Sequence, residues 1–360
     1  MKSTIKDPDK IFKTGLVLTH PHTPVYMKPM NLTANKGFQY LEDLSCAYWH
    51  SQVFFTALEL KIFMHIEQKK HAIETLSKAC MCKPEELLRL LKALETMDLI
   101  KLDNHCWQNS EAASTFLIPE KPDYMGDFFL YRKYMRPNWD LLTRKILVTP
   151  PAAQKDLTYE QKNYLYVKAM DTIVRQKARQ IAQIIKPLNL SGSVLDVGAG
   201  AGGMIRELLT VMPGSHGQIL EIPEVIQAAQ ELYPNQKDWM NITKTQGDFR
   251  THEFDTCFSL IILSNFLHTY SPDEARPLLL KAEKLLDHTG ILLIHDYFPD
   301  RTGVNPAKGS LYDLSMMLNT YNGACHNAAT LCSWLNQAGI HKIDIIDLET
   351  DTSIILASSM

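Results

Sequence analysis

Residues 194–203 read VLDVGAGAGG, an apolar run carrying one acid, Asp196, followed by four glycines in six positions. Glycines so spaced let the backbone turn sharply from strand to helix and let a ligand approach without obstruction from a Cβ. Two templates fit at once. Gly198, Gly200 and Gly203 spell the dinucleotide pattern GxGxxG, while Asp196, Gly198, Gly200 and Gly202 spell DxGxGxG.

Other residues discriminate between them. An acid at the end of the strand suits a cationic amino-acid ligand and would repel a pyrophosphate, which prefers bare amides at a helix N-terminus. Glu221 ends the next apolar run, QILEI, where an acid accepts both ribose hydroxyls; NAD and S-adenosylmethionine share that ribose, so Glu221 does not separate them. In QGDFR, Asp248 is placed to accept from an adenine amino group and Phe249 to cover its face. A dehydrogenase would need a separate substrate domain after the nucleotide fold, whereas here the remaining chain completes the same sheet. The sum favours S-adenosylmethionine as cofactor.

The elements that must position these residues follow from periodicity. After residue 190 the chain alternates strand and helix through SVLDV, GMIRELLTVM, QILEI, PEVIQAAQELY, ITKTQ, CFSLIILS, PDEARPLLLKAEKLL and GILLIHDYF, the pattern of a doubly wound α/β sheet. A helix near 329–338 and the strands HKIDIIDL and TSIILAS close the chain, predicting a hairpin added at the sheet edge. Ahead of the glycine turn, YVKAMDTIVRQKARQIAQII predicts a long amphipathic helix.

Residues 1–40 are expected to form a loose arm, because Pro8, Pro21, Pro24 and Pro29 interrupt every periodic segment. His20-Pro21-His22 in that arm has no cysteine or acid cluster beside it and reads as a solvated loop. Residues 41–150 are mainly helical. Phe54, Leu58, Ile62 and Ile66 stand four apart on one stripe, and the aromatics from 124 to 139, Tyr124 to Trp139, add more apolar surface than one small domain hides; together they predict a subunit interface. A short helix, a turn, a second helix begun by Pro84 and a small hairpin follow the winged-helix order. DNA reading is disfavoured there, since six acids (Glu74, Glu85, Glu86, Glu95, Asp98, Asp103) face five bases (Lys78, Lys83, Arg89, Lys92, Lys101) over 74–103. Pro150-Pro151 marks a break before the sheet domain, 151–360.

Composition sets outer bounds. With 45% hydrophobic and 21% charged residues and a net charge of −3, the 360-residue chain reads as a soluble globular protein with no electrostatic call for nucleic acid or an anionic membrane. Seven cysteines without repeated spacing read as free thiols in a reducing cytoplasm. The polar start MKSTIKDPDKIFKTG is no signal-peptide core, and CFSLIILSNFL is too short to span a bilayer.

VLDVGAGAGG, LEIPEVI, GDF, LSNFLHTYSPDEARPLLLKAEKLLDHTGILLIHDYF and the helix-rich ALELKIFMHI…LLRLLKALETMDLI together resemble the dimeric small-molecule O-methyltransferases, which include plant caffeate and flavonoid enzymes, hydroxyindole O-methyltransferase and bacterial tailoring enzymes. The resemblance runs from about residue 45 to near the end of the chain. It implies a Rossmann-like class I methyltransferase sheet, an N-terminal all-helical winged-helix dimerisation domain and a homodimer whose partner helices complete the substrate pocket. It further implies that His268, just beyond the fourth strand, is the catalytic base, that Asp296 orients it, and that Ser264 joins the cofactor-binding set. Met170 in KAMD and Met317 in SMMLN match the family's substrate-packing methionines, and core packing explains them equally well. His295 should point to the opposite face of its strand and be structural. No metal is expected, since no cage of acids and amides surrounds Asp248 or Asp296.

Two departures stand out. The family's HDW is HTY here, with Thr269 and Tyr270, and its second acid is replaced at the matching position by Cys325 in NGACHN. The expected activity is methyl transfer to a hydroxyl of a small aromatic or polyketide-like acceptor. A C- or N-methyltransferase, a catalytically idle ligand-binding homologue and an NAD-dependent oxidoreductase remain alternatives at this point.

Overall fold

The protein is described here by a computed structural model covering residues 37–149, 157–301, 306–349 and 351–358. The N-terminal arm through residue 36, with His20-Pro21-His22, and the Pro150-Pro151 break lie outside those residues. The described chain divides into two compact units between residues 156 and 157.

The first unit begins with helices α1 (Phe38–Cys46), α2 (Tyr48–Glu59), α3 (Ile62–Glu67), α4 (Ile73–Cys80) and α5 (Pro84–Thr96). An antiparallel hairpin, β1 (Ile100–Asp103) and β2 (Cys106–Asn109), follows, then α6 (Glu111–Phe116), α7 (Gly126–Met135), α8 (Pro137–Asp140) and α9 (Leu142–Ile146). Helix α5 starts where Pro84 pre-sets φ and Glu85 and Glu86 meet the positive end of the dipole; its inward face carries Leu87, Leu90, Leu91 and Leu94.

The stripe expected at a subunit interface is instead this unit's own core. Leu58, Ile62 and Ile66 are buried, and Phe54 packs edge-on against Phe129 at 5.1 Å between centroids. Periodicity marks a buried face without saying what buries it. The apolar surface left open is elsewhere: Tyr48, Phe128, Tyr131, Tyr134, Trp139 and Ile146 are exposed, with Tyr134 at 78%.

The second unit opens with α10 (Tyr159–Ile185), whose start is fixed by a capping box between Thr158 and Gln161. Then come β3 (Ser193–Val197), α11 (Gly203–Leu209), β4 (His216–Glu221), α12 (Pro223–Leu232), β5 (Ile242–Gln246) and β6 (Phe258–Ser264). After them run α13 (Pro272–Lys284), β7 (Leu286–Asp296), α14 (Pro306–Asn319), α15 (Ala328–Gln337), β8 (Lys342–Asp347) and β9 (Ser353–Ser358). The seven strands lie in the order β5-β4-β3-β6-β7-β9-β8. The first five are parallel; β9 pairs antiparallel with both β7 and β8, which makes the closing hairpin an edge addition.

Strands buried on both faces explain the unbroken apolar runs in β6 and β7. Ile181, Met204, Ile205 and Ala229 cover one face of the sheet; Leu278, Leu279, Leu331 and Leu335 cover the other. The chain leaves β3 toward β4 and β5, then returns to add β6 on β3's other side, so strand order reverses between β3 and β6. That is the position where an open α/β sheet forms a crevice beyond its carboxyl ends.

Candidate active site

The glycine turn sits at that reversal. Gly198, Gly200 and Gly202 have φ of +66°, +58° and +76°, a backbone region that other residues adopt at a cost. At Gly198 space matters too, since a Cβ would stand 2.6 Å from the Phe266 ring. Gly203, by contrast, has no positive φ, and its missing Cβ makes room for Asp171, whose Oδ1 would be 2.8 Å away. The glycine that completes GxGxxG therefore serves contact with α10.

Asp196 is buried beneath the turn, and its Oδ2 has no hydrogen-bond partner among the described residues. Burial first, and then the nearby Glu221 charge, push its carboxyl up to about 8. Glu221 ends β4 and accepts from two amides, Gly200 N–H at 2.9 Å and Ile222 N–H at 3.0 Å; burial nonetheless raises its pKa. Asp248 is held by Arg250, whose Nε is 2.8 Å from Oδ2, and that bonding keeps the Asp248 carboxyl below the ordinary range. Phe249 is buried edge-on against Phe266, 6.0 Å between centroids.

Across the crevice, His268 is buried in a short turn, Leu267–Thr269, just past β6, with Nδ1 2.6 Å from Asp296 Oδ1. Asp296 also accepts from the Tyr297 amide at 2.8 Å. Burial would raise its pKa, but the His268 charge and these hydrogen bonds outweigh burial and hold it below the ordinary range. An ionised carboxylate can only accept, so Nδ1 is the donor and Nε2 is left as the ring's acceptor in the neutral imidazole. Tyr312 meets the His268 ring edge-on at 5.4 Å and stacks on Tyr297 at 4.0 Å.

His295 faces the other way, with Nδ1 2.9 Å from Ser264 Oγ and Nε2 3.0 Å from Thr352 Oγ1. Burial, and then Lys177, drive its pKa down to about 3. Ser264 Oγ is thus engaged by His295, while its place next after Leu263, which pairs with Val197, keeps it beside the turn. Met170 and Met317 are half-buried, whereas Met316 belongs to the core. Cys325 donates its amide to Asp313 Oδ1 at 2.8 Å, and Thr269 Oγ1 donates to the Phe266 carbonyl at 2.7 Å. Tyr270 packs on Phe266 at 5.3 Å; its hydroxyl pKa is raised by burial and by Asp248. Among the described residues no group of three or more His, Cys, Asp or Glu could hold a metal ion.

A buried acid with one unpartnered oxygen under a glycine-rich turn, a second acid one strand over and a His–Asp pair across the crevice form a coherent set, and the comparisons with known proteins decide its family. Residues 151–341 match the O-methyltransferase domain, and 42–119 the O-methyltransferase dimerisation domain. The chain belongs to the O-methyltransferase family.

It is 26% identical to 3-hydroxy-5-methyl-1-naphthoate 3-O-methyltransferase of Streptomyces sahachiroi, over 84% of this chain and 89% of that one. Acetylserotonin O-methyltransferase of Bos taurus is 24% identical over 86% and 94%. The fold matches an O-methyltransferase family 2 protein of Planctomyces limnophilus, solved with apigenin, at a TM-score of 0.75 and 20% identity, over 91% and 97% of the two chains. The enzyme is a methyltransferase whose cofactor is S-adenosylmethionine. Its own residues fit that cofactor, because the orphaned Asp196 oxygen suits a cationic group and Gly200, with nothing within 4 Å of where a Cβ would stand, leaves the approach open.

Sequence reasoning passed over three features of this methyltransferase: Phe266 above Gly198, the Tyr297–Tyr312 stack against His268, and Asp171 beside Gly203. The quoted SNFLHTY and KAMD contain Phe266 and Asp171. Their partners lie on other elements, so spacing along the chain carried no signal for the contacts.

Proposed function

We propose that the enzyme methylates a hydroxyl of a small aromatic or polyketide-like acceptor, with His268 as general base. The observation that supports this most directly is the 2.6 Å contact between His268 Nδ1 and Asp296. With Nδ1 engaged there, Nε2 is the nitrogen that would take the acceptor's proton. A phenol with a pKa of about 10 is mostly protonated at neutral pH, and a positioned base is worth roughly 10² to 10⁴ in rate.

In this reading Asp196 holds the cofactor's ammonium, Glu221 accepts from its ribose hydroxyls, and Asp248 with Phe249 receives the adenine. When bound, S-adenosylmethionine supplies an electrophilic methyl group. The protein's remaining work is to align the acceptor and exclude water. Tyr312, edge-on to His268, gives an aromatic acceptor a wall.

The dimerisation domain and the exposed aromatics Tyr131, Tyr134 and Trp139 support a homodimer, and the seven free thiols support a reducing cytoplasm. The relative OxyT of Streptomyces rimosus, an N,N-dimethyltransferase 22% identical, keeps nitrogen acceptors in the test. A panel of phenols, hydroxynaphthoates and aromatic amines, incubated with methyl-labelled cofactor, checks the reading by mass spectrometry of the products. Label confined to oxygen supports it; label on nitrogen alone overturns it.

A further inference from the structure

A buried cluster outside the groups assigned above lies directly behind the glycine turn. Asp171, on α10, is 3% exposed, yet it carries a carboxylate. Three donors from three segments converge on it. Tyr233 O–H donates to Oδ2 at 2.5 Å, Arg175 Nε lies 3.1 Å from Oδ2, and an Arg206 guanidinium nitrogen is 3.3 Å from Oδ1.

Arg206 is the link to the turn. It stands in the first helical residues after the glycines and donates to the Ala201 carbonyl at 2.7 Å, inside the turn itself. Its guanidinium lies over the Tyr233 ring at 3.8 Å and near Trp239 at 5.4 Å, and Trp239 Nε1 donates back to the Tyr233 carbonyl at 2.9 Å. Arg206 is also close enough to Asp196 to act on it electrostatically. A guanidinium released from Asp171 would be drawn to the orphaned Asp196 oxygen, where it would compete with the cofactor's ammonium.

We propose that Asp171 is a positioning residue for cofactor binding: its carboxylate pins Arg206, holds the turn open at Ala201 and keeps Asp196 available, and its close approach is why residue 203 is glycine. The proposal rests on the turn being the cofactor site. Its bond to Arg206 and its approach to Gly203 both lead to the turn, so its loss should act on cofactor affinity and leave the acceptor side alone.

Calorimetry of the full-length chain with S-adenosylhomocysteine tests this. Asp171→Asn keeps the shape and removes the charge, and should raise the dissociation constant about tenfold. The acceptor's KM and kcat at saturating cofactor should be unchanged. Arg206→Met, which leaves Asp171 in place, should weaken binding in the same direction and serves if Asp171→Asn does not fold. Gly203→Ala should weaken binding strongly in the native background and less in an Asp171→Ala background, because the Cβ would meet Asp171 Oδ1 at 2.8 Å. Native binding by Asp171→Asn or Arg206→Met, an equal rise in acceptor KM, or an equal Gly203→Ala cost in both backgrounds overturns the proposal. A native chain that gives no heat with S-adenosylhomocysteine overturns the cofactor site itself.

Discussion

Two buried aspartates lie near the carboxyl ends of the strands on either side of β6 and have opposite characters. Asp196 on β3 has an oxygen with no partner among the described residues and a carboxyl pushed up to about 8 by burial and Glu221. Asp296 on β7 is as deeply buried, yet His268 and the Tyr297 amide satisfy it and hold it below the ordinary range. Desolvation acts on both; only the partner differs. In the proposed reading Asp196 is completed by a cation that arrives, whereas Asp296 is complete before any ligand binds. On that reading the cofactor half of the site is ligand-dependent and the acceptor half is preorganised.

The largest effect should come from breaking the preorganised half. His268→Ala should lower kcat by roughly 10² to 10⁴ while leaving the S-adenosylhomocysteine dissociation constant nearly unchanged, since in the proposed mechanism the lost group acts on the acceptor's proton. Full turnover by this variant on the true acceptor would remove His268 from the chemistry. Asp296→Asn should cost less, roughly ten- to hundredfold in kcat, by loosening the tautomer and orientation of the ring. The resemblance puts Cys325 where the family has a second acid, and on that reading no acid at that position substitutes for Asp296.

Breaking the ligand-dependent half should move a different quantity. Glu221→Ala should weaken cofactor binding by about 1.5–3 kcal/mol, the value of charge-assisted hydrogen bonds, with kcat at saturating cofactor close to native. Calorimetry and steady-state kinetics on one preparation separate the two halves. A Glu221 variant that loses kcat but keeps cofactor affinity would erase the distinction.

The two halves also differed in how readable they were. The strand–helix alternation after residue 190, the glycine turn and Glu221 at a strand end follow from local pattern, because β3 and β4 place them by short-range rules. His268 and Asp296 were reached only through resemblance to a family. They are 28 positions apart, and no periodicity links the end of β6 to the end of β7. The helical unit shows the same limit: Leu58 and Ile62 were correctly read as one apolar stripe, but the stripe packs inward while Tyr134 and Trp139 stay exposed. The Asp171–Arg206 contact spans 35 positions between helices α10 and α11, so only the folded chain brings it into view.

A further prediction, on stability rather than on turnover, follows from protons on Asp196. Its folded pKa of about 8 lies well above the ordinary 3.8, so between those values the folded, ligand-free chain binds more protons than the unfolded one. Stability from this group is therefore full below about pH 4, falls as pH rises through the window, and stops falling above about 8. Asp196→Asn cannot titrate, so its melting temperature relative to native should climb across that window, by about 2–4 °C for each kcal/mol in a domain of this size. The same variant should bind the cofactor more weakly, making it more stable when empty and less stable relative to native when cofactor is added. Binding at pH 7 should also release up to one proton in the native chain and none from this group in the variant, read from calorimetry in buffers of different ionisation enthalpy. If the two melting curves run parallel from pH 4 to 8, Asp196 is ionised without a ligand, and the contrast with Asp296 collapses.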